Sequence, residues 1–269
     1  MNLLNGNIDL VPLDPDMYLR KSWVLYRWNM CEASFYWTIL TTPIDERDRV
    51  TDDIADQQSR SPRDIGVLFH KVAKEGWEKV TLEGMYNDPF NTLLKAFNHE
   101  NKEVQSRLLN FITVEMQRWD MTENKDWYLP YSLEKKYTSD ILKAFGTVDR
   151  IDRMSESEFA VIDYKTGIMK DKEDLKIELA WYASILNVEH HLPGLVTTGV
   201  MIFPNIYELS NFVYFHRLEE EDFARVRVLD ATVRQAMIAN KYSRTGNVKI
   251  CRFCDFYGKK CIGPDMSKK

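Results

Sequence analysis

The stretch Gly146–Gly167, GTVDRIDRMSESEFAVIDYKTG, decides the reading of the chain. Its first half, Thr147 to Ile151, is strand-like and carries Asp149. A polar turn, Arg153-Met154-Ser155-Glu156-Ser157, leads into the apolar run Phe159-Ala160-Val161-Ile162, which ends in Asp163-Tyr164-Lys165. Side chains alternate faces along a strand, so Asp163 and Lys165 share a face at the end of an otherwise apolar strand. A charged pair there is costly unless something offsets it. The turn predicts a hairpin that brings Asp149 beside Asp163. A divalent cation shared by two carboxylates, with a lysine alongside, makes a hard, oxygen-lined site suited to phosphodiester hydrolysis. The competing reading is a surface hairpin with an ordinary Asp-x-Lys triplet, since such triplets are common.

The phrase GxxDRID followed by DYKTG resembles the PD-(D/E)xK nuclease superfamily in its RecB-like branch. The resemblance runs from Ser22 to Cys261 and implies an α/β fold. That fold is a restriction-endonuclease-like α-β-β-β-α-β core with a mixed sheet. It implies Mg2+ or Mn2+, and a catalytic set of Asp149, Asp163, Lys165 and His70. Gly66-x3-His70 resembles the branch's first motif, whose histidine is a metal ligand. The implied metal set is His70, Asp149, Asp163 and the backbone carbonyl of Tyr164. Glu134 stands about where many RecB-like sequences carry a glutamate. It reads as a ligand or water contact, or as a salt-bridged strand residue. Glu178-Leu-Ala-Trp-Tyr182 matches the family's Gln-x3-Tyr helix, and an i, i+4 pair shares a helix face. Tyr182 and Glu178 are therefore expected to meet the bound DNA strand, with Tyr182 in core packing as the other reading. Glutamate in place of glutamine is a departure, because a carboxylate repels phosphate. It leaves Glu178 protonated, paired with a lysine or helping to hold metal.

The four cysteines are Cys31, Cys251, Cys254 and Cys261, the last three forming Cys-x2-Cys-x6-Cys in CRFCDFYGKKC. A four-cysteine metal site, two disulfides and unrelated thiols are all compatible with that count. A disulfide framework usually serves small secreted domains. Zinc and an iron–sulfur cluster take the same ligands, and spacing does not separate them. The resemblance points to a [4Fe–4S] cluster. In iron–sulfur members of the RecB-like group, such as AddB-type nucleases and the fourth CRISPR-associated protein, one cysteine precedes the core and three follow it. The cluster then staples the two ends. The run Ser22 to Tyr36 resembles the family's opening phrase, with Glu32 where proline is usual. Trp23, Tyr26, Trp28, Phe35, Tyr36 and Trp37 crowd around Cys31, and Phe253 and Phe256 lie among the C-terminal thiols. Aromatics stack on unpaired bases, and they also form core shells.

Hydrophobic residues make up 44% of the 269 and charged residues 29%, ordinary for a globular chain. The net charge of −5 argues against a protein that coats nucleic acid non-specifically. It leaves room for a local basic groove, for which Arg150, Arg153, Lys143, Lys165, Lys170, Lys249, Arg252, Lys259 and Lys260 are candidates. Arg150 is the nearest DNA-contact candidate. One nuclease domain over 1–269 is expected, with a helical lobe at 66–120, the core at 131–218 and cluster-binding ends at 20–37 and 243–263. A loop, or an exposed helix with frayed ends, is expected over 41–63, strands over 131–137, 198–203 and 212–216, and helices over 172–186 and 219–242. No apolar stretch reaches membrane-spanning length, and the N-terminus lacks a basic region and cleavage site, so a cytoplasmic location is expected, the host cytoplasm if the chain is phage- or virus-encoded. The resemblance implies a metal-dependent DNA nuclease, preferably an exonuclease, acting on single-stranded DNA or DNA with single-stranded ends. The implied setting is recombination, repair, phage replication or CRISPR adaptation, with protein partners from those systems. A non-catalytic DNA-binding subunit and a zinc-stapled nucleic-acid-binding module are the other readings.

Overall fold

A computed structural model of the chain describes residues 11–42, 62–167, 171–205, 212–245, 247–252, 254–257 and 261. Most of the loop expected over 41–63, together with Phe253, Lys170, Lys259 and Lys260, lies outside the described residues. The strands are β1 (Leu19–Arg20), β2 (Ser132–Ser139), β3 (Ala144–Arg153), β4 (Glu158–Tyr164), β5 (Leu195–Ile202) and β6 (Val213–Arg217). The helices are α1 (Glu32–Thr41), α2 (Pro62–Trp77), α3 (Leu82–Asn87), α4 (Pro89–Ala96), α5 (Lys102–Met121), α6 (Lys172–Val188), α7 (Glu220–Ala239) and α8 (Val248–Cys251). A π-helical turn, Trp23–Trp28, precedes α1.

Helix starts follow local chemistry. Asp88 caps α4 by accepting from Asn91 N, with Pro89 at its first position. Asn101 caps α5, and Asp171 caps α6 ahead of Glu173 and Asp174. A Glu219–Asp222 capping box opens α7, which ends at Asn240 in the left-handed region, φ 49°. That stop falls short of the expected end at Tyr242.

The six strands form one mixed sheet. β3 and β4 make the expected antiparallel hairpin, with Arg150 opposite Ile162 and Ile151 opposite Val161. Six of the seven β4 residues are buried, which is why the run is apolar on both faces. β2 pairs along β3 from Ser139↔Ala144 to Ser132↔Ile151 and so takes one whole edge of it. β1 runs parallel to the first residues of β3, Ala144 and Phe145, while β4 pairs with its last four. β1 and β4 therefore share the other edge of β3, which forks between them. β5 lies parallel to β4, and β6 antiparallel to β5. The order α, β2, β3, β4, α6, β5 is consistent with the restriction-endonuclease-like core.

Two apolar clusters cover the sheet. In one, Leu175, Leu179 and Ile185 of α6 pack with Ile151, Phe159 and Val161. This cluster also takes in Trp23, Trp28, Phe35 and Tyr36, so these four aromatics are core residues. In the other, α2 and α5 bring Phe69 and Phe111 against Tyr164, at 5.9 and 5.4 Å between ring centroids, edge to face.

A charged network lies inside this second layer. Arg150 Nη1 donates to Glu115 Oε1 at 2.7 Å, and its Nε donates to Asp152 Oδ1 at 2.7 Å. Arg118 donates to Glu115 at 2.7 Å and to the Tyr128 carbonyl at 2.7 Å. Arg150 is fully buried and also faces the Trp77 ring at 4.5 Å. This corrects the DNA-contact expectation for Arg150. Next to Asp149 in sequence, it points to the other side of the sheet, where two carboxylates occupy its guanidinium and fasten α5 to β3.

Candidate active site

The fork between β1 and β4, on the edge of β3, is where polar side chains gather. The β3–β4 ladder ends at Arg150 opposite Ile162, and the same register carried one step on would set Asp149 opposite Asp163 on one face. Two glycines let the flanking helices come close. A Cβ on Gly146 would sit 2.8 Å from Tyr182 Cε1, and one on Gly66 would sit 2.6 Å from Thr166 Oγ1. Gly146 thus admits the α6 tyrosine to β3, and Gly66 admits α2 to the segment after β4.

From α2, His70 Nδ1 lies 3.3 Å from Glu134 Oε1 and 3.5 Å from Asp149 Oδ2. The donor atoms of His70, Glu134 and Asp149 all lie within 4.8 Å of one another. Glu134 falls between the pairs Leu133↔Arg150 and Lys135↔Val148, opposite Asp149. Its φ is 42°, a left-handed conformation unusual for a non-glycine residue in a strand. Such strain is held in place by its surroundings and gathers at functional sites. Asp149 Oδ2 also accepts from the Tyr164 backbone N–H at 2.7 Å.

Asp163 is placed differently from the expectation that it joins His70 and Asp149 directly. Its Oδ1 accepts from Lys21 Nζ at 3.1 Å, and its Oδ2 pairs with Lys165. Lys165 also lies 3.2 Å from Glu178 Oε2. Lys21 Nζ sits 4.2 Å from the Tyr182 ring centroid. Glu178 and Tyr182 are 1% and 5% exposed, so both turn inward. This corrects the expectation that they meet a DNA strand: Glu178 pairs with a lysine, and Tyr182 backs the centre.

The charges answer to these neighbours. Burial opposes a charged His70, but Asp149 and Glu134 outweigh it and hold the imidazole pKa well above its ordinary value. Burial pushes Glu134 up, with His70 pulling against it. Burial also opposes the Asp163 carboxylate, yet Lys165 and Lys21 hold it well below the usual range. Burial lowers Lys165, and Lys21 adds to that against the pull of Asp163. Lys21 shifts the other way: burial opposes its charge, and Asp163, Tyr182 and Glu178 raise it well above its ordinary value. Burial raises Glu178, with Lys21 opposing. Sequence reasoning missed Lys21, whose signal is a single basic residue after a two-residue strand.

The segments that carry Cys31 and the three later cysteines meet elsewhere. Cys31, Cys251, Cys254 and Cys261 line one small cavity together with Ser34, Trp37, Thr245 and Tyr257. Thr245 N–H donates to Cys31 Sγ at 3.5 Å, and Ala33 N–H donates to the Ser243 carbonyl at 3.1 Å. Burial raises the Cys251 thiol, and Cys31, Cys261 and Cys254 raise it further.

The described residues thus combine a mixed sheet, a histidine–carboxylate cluster and an Asp-x-Lys at a strand end. The chain belongs to the PD-(D/E)XK nuclease superfamily, whose sequence model it matches over residues 27–258. An uncharacterized protein of Rickettsia bellii (strain RML369-C) is 21% identical over 161 residues, covering 55% of this chain and 18% of the relative's length. A crystal structure from Eubacterium rectale, titled a candidate exonuclease, aligns over 88% of each chain with 10% identity and a TM-score of 0.45. Among the described residues, no helix is long and apolar enough to cross a membrane.

Proposed function

We propose that the protein is a Mg2+- or Mn2+-dependent nuclease that hydrolyses DNA phosphodiester bonds. Its substrate is single-stranded DNA or DNA with single-stranded ends, and it works as an exonuclease. The observation that carries this reading is the convergence of His70, Glu134 and Asp149 within 4.8 Å, beside the Asp163–Lys165 pair. Two carboxylates and an imidazole fit a small hard cation, and the imidazole favours Mn2+ alongside Mg2+. A divalent ion bound there supplies Lewis acidity toward the phosphate. His70, Glu134 and Asp149 would hold the ion, and the Tyr164 N–H fixes Asp149. The Tyr164 carbonyl and Asp163 would be the further ligands. Lys165, whose side chain is 22% exposed, offers its ammonium to the negative charge that develops on the phosphate.

The second part of the proposal is a [4Fe–4S] cluster on the four cysteines, for which zinc is the alternative with the same donors. Their shared cavity supports a common metal group. The neighbouring sulfurs push the buried Cys251 thiol up, which fits a group of thiolates that would need a cation to hold them together. A bound cluster joins the N-terminal segment before the core to the C-terminal one. Recombination, repair, phage replication or CRISPR adaptation is the proposed setting, because single-stranded ends arise there.

The test is cleavage of 5′-labelled single-stranded and blunt duplex DNA with Mg2+, with Mn2+ and with chelator. Metal-dependent shortening of the single strand is expected. No cleavage of either substrate with either metal would contradict the proposal. The absorbance spectrum of the isolated protein separates a brown iron–sulfur protein from a colourless zinc one.

A further inference from the structure

The first turns of α6 and the π-helical turn enclose a pocket beside the centre. Asp174, Ile177 and Glu178 lie at i, i+3 and i+4 on α6, so they share one face of it. Leu25, Tyr26 and Asn29 complete the lining. The volume is about 90 Å³, several times the order of 10–15 Å³ that one water needs. Buried Glu178 is shared with the centre, since its Oε2 lies 3.2 Å from Lys165 Nζ. Asp174 and Asn29 are exposed, and among the described residues their side chains have no hydrogen-bond or ion-pair partner. Tyr26 is half-buried and sits on the π-helical turn. Such turns are rare and occur frequently at functional sites.

The lining selects its occupant. Two carboxylates repel phosphate, so the pocket does not take the nucleic-acid backbone. An aromatic ring, two aliphatic side chains, an amide and an acceptor-only carboxylate suit a flat ring that carries N–H donors. An unpaired nucleobase is such a ring, and bases stack on aromatic side chains. A carboxylate accepts from the cytosine amino group, and an asparagine pairs with the amino edge of adenine. Thymine presents a carbonyl oxygen and a methyl group instead. Tyr26 also lines an adjoining groove of about 450 Å³ with Arg27 and Met30. That groove has room for a neighbouring nucleotide, and Arg27 offers a cation to its phosphate.

Resting on the nuclease reading above, we propose that this pocket holds one unpaired base of the substrate strand, stacked on Tyr26 and read by Asp174 and Asn29 in favour of cytosine and adenine over thymine. Glu178 touches both the pocket and Lys165, so the base belongs to a nucleotide next to the cleaved bond. A paired base cannot splay into the pocket, which favours single-stranded substrate.

Fluorescence anisotropy of the full chain with labelled oligodeoxycytidine or oligodeoxythymidine, each about ten nucleotides long, tests this. Ca2+ replaces the catalytic ion, since it takes oxygen ligands. The wild type should bind the cytidine strand about fivefold more tightly than the thymidine strand. Asp174→Asn keeps the shape and adds an N–H donor that thymine accepts, so the two affinities should come within about twofold of each other. Tyr26→Leu should weaken both strands about tenfold, and Tyr26→Phe should stay within about threefold of wild type. A merely structural role for Asp174 would weaken both strands alike. Equal wild-type affinities, no binding of either strand, or a preference unchanged in Asp174→Asn overturns the proposal. Should Tyr26→Leu not fold, the exposed Asp174→Asn still decides it. The binding assay needs no cleavage. A chain that binds with this preference and cuts nothing therefore keeps the pocket and contradicts the nuclease reading instead.

Discussion

At the scale of single residues, the proposed function divides the chemistry between Lys165 and His70. Lys165 touches Asp163 and Glu178 and lies outside the trio of converging donors. Lys165→Ala should therefore leave Mn2+ affinity within a few-fold of wild type and cut single-turnover cleavage by about a hundredfold, the scale of removing one charge-stabilising donor. Equal losses in binding and cleavage would make it a ligand instead. His70 gives a pH signature. Its pKa is raised in the folded, metal-free protein, so its pairing with Asp149 and Glu134 stabilises the fold fully below about 6.5, the ordinary histidine value. That contribution is lost as pH rises from there through the raised value. Metal-free thermal stability should fall across this window, and His70→Gln should abolish that component. Metal needs the neutral imidazole, so Mn2+ affinity should move the opposite way and rise with pH. Calorimetry in buffers of different ionisation enthalpy should detect about one proton released in the same window. A pH-independent Mn2+ affinity would place the ion away from His70.

At the scale of elements, the hairpin, the α6 helix and α2 were legible because strand and helix periods fix which residues share a face. That logic set Asp149 beside Asp163, and the two motif glycines mark close approaches of α6 and α2. Periodicity does not say what arrives from afar. Arg150 looked like a surface base beside an acidic site, but one step along a strand reverses the face. Its partner Glu115 comes from a helix 35 residues upstream. Lys21 was invisible because a two-residue strand has no period. The positive φ of Glu134 leaves no mark in a pattern of residue types. Two predictions belong here. Arg150→Met leaves Glu115 and Asp152 without their fully buried partner and should cost about 3–5 kcal/mol in chemical denaturation. A cost under about 1 kcal/mol would mean Arg118 alone satisfies both acids. Gly146→Ala forces a methyl against Tyr182 and should destabilise by about 1–3 kcal/mol. Tyr182→Leu in the same chain should recover part of the loss.

At the scale of the whole molecule, two distant ends of the chain support one centre. The segment that carries Lys21 into the fork continues through the π-helical turn to Cys31, which shares a cavity with the three C-terminal cysteines. The sequence allowed the four cysteines to be grouped, while the path from that group to the catalytic fork needed the sheet register. Cys31→Ser should lower the melting temperature and loosen the N-terminal end, raising amide exchange in β1 and the π-helical turn. Unchanged exchange there would separate the staple from the centre. The central claim is that His70, Glu134 and Asp149 hold the divalent ion that makes this chain a DNA nuclease. Single-turnover cleavage of a 5′-labelled single strand across a Mn2+ titration, in wild type and Asp149→Asn, tests it most directly. The account requires saturable Mn2+-dependent cleavage in the wild type and its loss, with loss of Mn2+ binding, in a folded Asp149→Asn chain. Wild-type cleavage by that variant at the same Mn2+ concentrations would contradict it.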